Sequence, residues 1–197
     1  NTLTFQAVVK TVAQRNGLYA DFSPKPLRHQ PGNGFHINIS VKGGNCEDPL
    51  SHMIAGILEH IPELTVFLNP TVASYERFGG PKAPEYISWS NQNRSQLIRV
   101  PAALDEYRRA ELRSPDPTTN PYLAFALLIY AGLDGIQQKL PLPAPTDLNL
   151  FTASADILAL LQRLPLTLRE AATLAANSSF VSKYLPKTIM QTYYDQR

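Results

Sequence analysis

Cysteine is almost absent. Cys46 stands alone among 197 residues, so no disulfide can form within the chain, and the sequence suits a reducing compartment. Long apolar runs are missing too. The longest, Tyr122 to Leu133, is shorter than the roughly 20 residues a spanning helix needs, and no signal-peptide pattern opens the sequence. The expectation is a soluble, cytoplasmic protein with no membrane partner. Neither sign of charge dominates: eighteen basic and sixteen acidic residues leave +2, too balanced a sum to point to nucleic acid. Disorder is excluded by composition, since 44% hydrophobic against 17% charged residues is a globular balance in a chain long enough for a sizeable core. An initiating methionine is lacking and helix-forming sequence begins almost at once, which predicts a piece of a longer protein.

What is present is concentrated in residues 94–116. Arg109, Glu111 and Arg113 fall two apart with Ala110 and Leu112 between them, the period of a strand with one polar and one apolar face. At a rise of about 3.3 Å per residue, neighbours in that row stand roughly 7 Å apart, with a carboxylate flanked by two guanidinium groups. Upstream, Arg94 and Arg99 bracket a second apolar run of Leu97, Ile98 and Val100. Such a concentration of cations suggests an anionic ligand. The plain alternative is an ion network that pairs only with itself.

Pattern also assigns the other elements. Phe5, Val8, Val9, Val12 and Ala13 follow helical spacing between a cap at Thr2 or Thr4 and a stop at Gly17, predicting a helix with one core face. Leu18 to Ser23 reads as a short strand broken by Pro24-Lys25-Pro26, which presents Lys25. The loop Pro31-Gly32-Asn33-Gly34 is a tight turn or a close approach of backbone to a ligand. From Phe35 to Val41 apolar residues alternate with His36, Asn38 and Ser40, a polar face offering either a metal ligand with hydrogen-bonding groups or an ordinary satisfied histidine. Asp48 caps a helix ending near Pro62, with a second apolar segment from Leu64 to Leu68. Residues 75–84 form a polar loop, either a mobile cover for a site or a linker, and Tyr86 to Ser90 a strand. Asn120 and Pro121 start a helix over Tyr122 to Ile136 that is apolar almost all round, so its aromatic residues are expected in the core. Residues 140–146 are too proline-rich for helix, and helices are predicted over 153–164, 167–176 and 178–194.

Taken in order, SPKP, NGFHIN, NPTVASYERF, NRSQLIRVP and RRAELRSPDPTTNPYLAFALLIYAGLDGI resemble the catalytic portion of glutamine synthetase over nearly the whole chain. The resemblance implies an α+β fold in which an antiparallel-rich, curved sheet is flanked by helices. One domain is expected over 1–197, with a sheet-and-helix body at 1–140 and an extended connection plus C-terminal helices at 141–197. It also implies an ATP-dependent ligase that phosphorylates the γ-carboxylate of glutamate and lets ammonia displace phosphate, assisted by Mg2+ or Mn2+. By position, His36 and Glu111 resemble metal ligands. Gly32, Arg77, Arg94 and Arg113 resemble glutamate contacts, and Arg94 and Arg99 match residues on the transferred phosphoryl group. Asn38, Ser40 and Arg109, with Arg94 and Arg99, fall on the ATP side. Partners would be glutamate, ammonia, ATP and further copies of the chain in a ring.

Some positions depart from the family pattern. Upstream glutamate ligands and a small amino-terminal domain would precede Asn1, so this chain alone is expected to be inactive. Asn38 stands where many relatives carry a second histidine. Phe151 replaces a tyrosine that is adenylylated in some bacterial relatives, a modification that requires a hydroxyl. Lys82 stands in a loop one residue short where relatives place a glutamate, and its reversed charge motivates altered amine chemistry. The alternatives are a γ-glutamyl amide ligase using another amine, and a non-catalytic structural or regulatory relative.

Overall fold

The computed structural model describes residues 1–43, 46–81, 83–104 and 107–194. Its architecture is α+β. Helix α1 (Thr2–Arg15) leads through an extended segment to strand β1 (Ile37–Ile39). Then come α2 (Pro49–Leu68), α3 (Val72–Tyr75), β2 (Trp89–Ser90), β3 (Ile98–Arg99), β4 (Ala110–Leu112) and α4 (Pro121–Gln138). Four short helices follow: α5 (Ala155–Leu158), α6 (Leu168–Ala176), α7 (Ser179–Tyr184) and α8 (Lys187–Tyr194). The strands make one sheet in the order β1-β4-β3-β2, antiparallel at β1/β4 and β4/β3 and parallel at β3/β2.

Helix α2 is the spine. The Asp48 side chain accepts from the Ser51 amide at 3.4 Å, and Pro49 occupies the first turn, where its missing donor costs nothing. The helix does not end near Pro62 as its sequence predicts. It continues to Leu68. An interior proline costs about 3 kcal/mol, but the second half of the helix buries Leu64, Phe67 and Leu68 completely. Each such side chain is worth roughly 1.5–3 kcal/mol, so burial wins.

Helix α4 crosses α2 through small residues. A Cβ on Gly56 would collide with the Ala131 carbonyl and lie 2.7 Å from the Gly135 Cα, so the two backbones meet where glycine alone fits. Asn120 caps α4 through the amides of Tyr122 and Leu123. The expectation of a helix buried all round is corrected here. One face packs on α2, leaving Tyr122 at 74%, Ile129 at 55%, Leu133 at 45% and Phe125 at 41% exposure. Helix α1 departs from its sequence reading in the same way, since it has no buried residue and Phe5 is 63% exposed. Phe5 meets the ring of Phe22 edge-on and Gln6 donates to the Pro117 carbonyl, yet these contacts leave no residue of the helix buried.

Alternation fixes the sheet. Ile37, Ile98, Val100, Ala110 and Leu112 face the core, while the other face carries charge. Residues 18–23 form no strand, because no neighbour pairs with them. Of the expected strand from Tyr86, only Trp89 and Ser90 join the sheet. Ile87 and Glu85 instead pair with Gln162 and Leu164, so residues 162–164 run antiparallel to 85–87 and the predicted 153–164 helix shrinks to α5. Burial of Leu164 at 1% exposure decides that competition. Residues 140–146 are extended as expected, tied down by Trp89 Nε1 donating to the Pro143 carbonyl at 2.7 Å. The polar 75–84 loop is tightened by bonds between the Gly79 amide and Ala83 carbonyl and between the Ala83 amide and Gly80 carbonyl. Lys82 lies outside the described residues.

Candidate functional site

The charged face of the sheet assembles side chains from three strands. Register places Asn38, Glu111 and Arg99 abreast on β1, β4 and β3. Glu111 is the centre. Its Oε1 lies 3.3 Å from His36 Nδ1, and its Oε2 lies 2.8 Å from Arg99 Nε and 3.3 Å from Arg113 Nη1. Glu111 is 9% exposed and Arg113 4%. Burial alone would push the Glu111 carboxyl up, but Arg113, Arg99 and His36 together more than offset it, so it is held below the usual carboxylate range. Burial draws the Arg113 guanidinium down, with Glu111 opposing. Arg109 Nε donates to Asn38 Oδ1 at 3.1 Å, and exposed Arg94 adds like charge toward Arg113. One carboxylate thus contacts two guanidinium groups, with Arg109 and Arg94 adding positive charge nearby, so the face is left cationic and suited to an anion.

A buried polar network holds the arginine-bearing segment in place. Ser88 Oγ donates to Gln96 Oε1 at 2.7 Å, Gln96 Nε2 to the Leu148 carbonyl at 2.7 Å, and Ser95 Oγ to Asn93 Oδ1 at 2.9 Å. Residues 93–100 are therefore pinned from beneath while Arg94 and Arg99 project. Satisfied networks of this kind rigidify what they hold.

The structure brings together His36, Asn38, Arg99, Arg109, Glu111 and Arg113, and Gly32 and Arg77 lie next to this cluster, with Gly34 between His36 and Arg77. Arg77, 3% exposed, is 3.6 Å from Asp116 and donates to Asn69, Ser114 and Pro115. Burial draws its guanidinium down, with Asp116 opposing. Ser40 is exposed beyond the end of β1. Asp116 was not singled out in the sequence, although the SPDP motif contains it; fully buried, it accepts from the Thr118 amide at 2.8 Å and braces the turn into α4. Arg28 and His29, also passed over, line a pocket with Gly32 and Arg77.

As a metal centre the face is partial. Imidazole plus carboxylate suits Mn2+ or Mg2+, yet among the described residues no group of three His, Cys, Asp or Glu is arranged so that it could hold an ion. His36 and Glu111 stand 3.3 Å apart and offer one imidazole and one carboxylate.

All 197 residues match the model of the glutamine synthetase catalytic domain. The chain belongs to the glutamine synthetase family. A glutamine synthetase from Methanosarcina mazei is 43% identical over 208 aligned positions, covering 98% of this chain and 46% of that protein. One from Pyrococcus abyssi is 48% identical over 161 positions, covering 77% and 37%. Among solved structures, a GmaS/ADP complex superposes with a TM-score of 0.86 at 30% identity, covering 98% of this chain and 48% of that one. The chain thus spans about half the length of the glutamine synthetases it matches. The α+β fold expected from the resemblance is the fold observed.

Proposed function

We propose that the protein carrying these residues is an ATP-dependent ligase that joins ammonia to glutamate through γ-glutamyl phosphate. The observation that carries the reading is Glu111 ringed by His36, Arg99 and Arg113 on an open, cationic sheet face. On this reading Arg94 and Arg99 hold positive charge at the transferring phosphoryl group, where preorganised donors lower the barrier without reorganising. Arg109, Asn38 and Ser40 orient the nucleotide. Arg113, with Gly32, Arg77 and Arg94, serves the glutamate side. His36 and Glu111 would hold part of the shell of a divalent ion, whose chemistry, when bound, is to neutralise nucleotide phosphates. The similar solved structure is a complex with ADP, which supports nucleotide use.

Residues 1–140 and 141–197 are proposed to act as one domain, a reading supported by packing of α6 and α7 on α2. Ring assembly and a cytoplasmic setting belong to the same proposal. Among the described residues no helix is long and apolar enough to cross a membrane. The test is calorimetric titration of the chain with ADP in the presence of Mg2+ or Mn2+. Binding that falls at least about tenfold in Arg99→Gln and Arg109→Gln supports the reading, because charge-assisted contacts to phosphate are worth about 1.5–3 kcal/mol. Binding indifferent to both substitutions sinks it.

A further inference from the structure

A cavity of about 410 Å³ lies where α2, β2 and the proline-rich segment 140–146 meet, and it shares no residue with the charged sheet face. Its walls follow from local rules. Ala55, Leu58 and Glu59 stand three and four apart on α2, so they share one side of the helix, and the small Ala55 leaves room there. The other walls come from the extended 140–146 segment, which its prolines keep out of helix, and from Ile87, Trp89 and Leu161.

The space is held open. His52 Nδ1 donates to the Leu140 carbonyl at 2.7 Å and Trp89 Nε1 to the Pro143 carbonyl at 2.7 Å. The Thr146 amide donates to the Trp89 carbonyl at 2.8 Å, and the Ile87 amide to the Gln162 carbonyl at 2.8 Å. These bonds tie the walls to one another, and the rings of Pro141 and Pro143 have no side-chain freedom with which to fill the gap. A preformed, largely apolar cavity of this size with few polar groups is the usual form of a small-molecule site.

The polar groups choose the ligand. Ser88 lines the cavity, but its hydroxyl is committed to Gln96. Glu59 is the one charged residue among the described lining residues, and it is exposed. Among the described residues it belongs to no ion pair. The indole N–H of Trp89 is spent on Pro143, so an occupant meets its ring and not a donor. A carboxylate without a counter-charge and an indole face both attract a cation, while the apolar walls favour a hydrocarbon body. The preference is opposite in sign to that of the sheet face.

We propose that this cavity is a binding site for a small organic ammonium ion with an aryl-sized apolar body, its charge held by Glu59 and the ring of Trp89. The site is independent of the ligase reading, because none of its residues is assigned to glutamate, nucleotide or metal.

Trp89 is the sole tryptophan of the chain, so its emission reports occupancy. The test is titration of the full chain with 2-phenylethylammonium, its neutral counterpart 2-phenylethanol and its anionic counterpart 3-phenylpropionate. The ammonium ion is expected to change Trp89 emission saturably and to bind about three- to fivefold more tightly than the alcohol, as one exposed charge pair allows; the carboxylate is expected to leave the emission unchanged. Glu59→Gln should remove the preference for the ammonium ion while alcohol binding and Tm stay as in the parent. Ala144→Phe, also at an exposed position, should weaken ammonium ion and alcohol together by occupying the cavity. ADP should not displace the ammonium ion. The proposal is overturned if the ammonium ion leaves Trp89 emission unchanged, if the carboxylate binds as tightly, if Glu59→Gln keeps the preference, if Ala144→Phe binds as the parent does, or if ADP competes.

Discussion

Two clusters in this molecule pair an imidazole with carboxylates, and they are built to opposite ends. At the sheet face, His36 and Glu111 stand among guanidinium groups and the local charge is positive. Inside the helical layer, His60 Nδ1 lies 2.6 Å from Glu63 Oε1 and its Nε2 lies 3.0 Å from Asp134 Oδ2, while its ring stacks on Phe180 at 3.8 Å. Both nitrogens of His60 are taken by acids of the chain itself, and the ring face is covered. That cluster joins α2, α4 and α7 and has no capacity left for a ligand. The same residue types serve chemistry in one place and cohesion in the other; what separates them is whether cations or anions are in excess.

The largest expected effect is at the open cluster. Glu111→Gln leaves Arg99 and Arg113 without their counter-charge, one of them buried, and should destabilise the chain by about 3–5 kcal/mol in urea unfolding. Added sulfate should restore much of that loss in a concentration-dependent way, because an external anion can replace the missing carboxylate. If sulfate gives no recovery, the face is not an anion site. His60→Ala should cost about 1–3 kcal/mol by leaving Glu63 and Asp134 without their shared donor, and sulfate should bring no recovery.

The clusters also separate in pH. Burial pulls the His60 imidazole down, but Glu63 and Asp134 more than offset it, so its folded value lies above the ordinary 6.5. A raised folded value means stabilisation that is fully present below 6.5 and is lost as pH rises through the folded value. Thermal melts should therefore show Tm falling on that upward pH limb in the parent chain, with a flatter limb in His60→Gln; identical limbs would remove His60 from the account. The smallest effect is expected from Asn38→Ala, which frees the Arg109 guanidinium and should weaken ADP binding only about threefold, as one hydrogen bond of about 0.5–1.5 kcal/mol allows.

Local rules made parts of this molecule legible in advance. Alternation put Arg109, Glu111 and Arg113 on one face, and Asp48 and Asn120 announced the helices they cap. Pairing His36 with Glu111 came from family resemblance, since 75 residues separate them and no periodicity bridges that distance. His60 with Asp134 and Arg77 with Asp116 were missed for the same reason. Where the reading erred, tertiary context overrode a local signal. Pro62 stops helices in general, yet here the residues beyond it are too well buried to leave. Apolar residues on α1 and around α4 read as core because sequence states only that a surface is apolar, not what covers it.

The glycine crossing between α2 and α4 has a consequence for the chemistry. Because Gly56 and Gly135 leave no slack between backbones, α4 cannot slide along α2, and the short SPDP segment joins α4 directly to Arg113 and Glu111. The helix pair therefore acts as a datum from which the charged face is measured. Variation along that seam would move the arginines together, so adaptation to a new substrate is channelled into the loops at the rim.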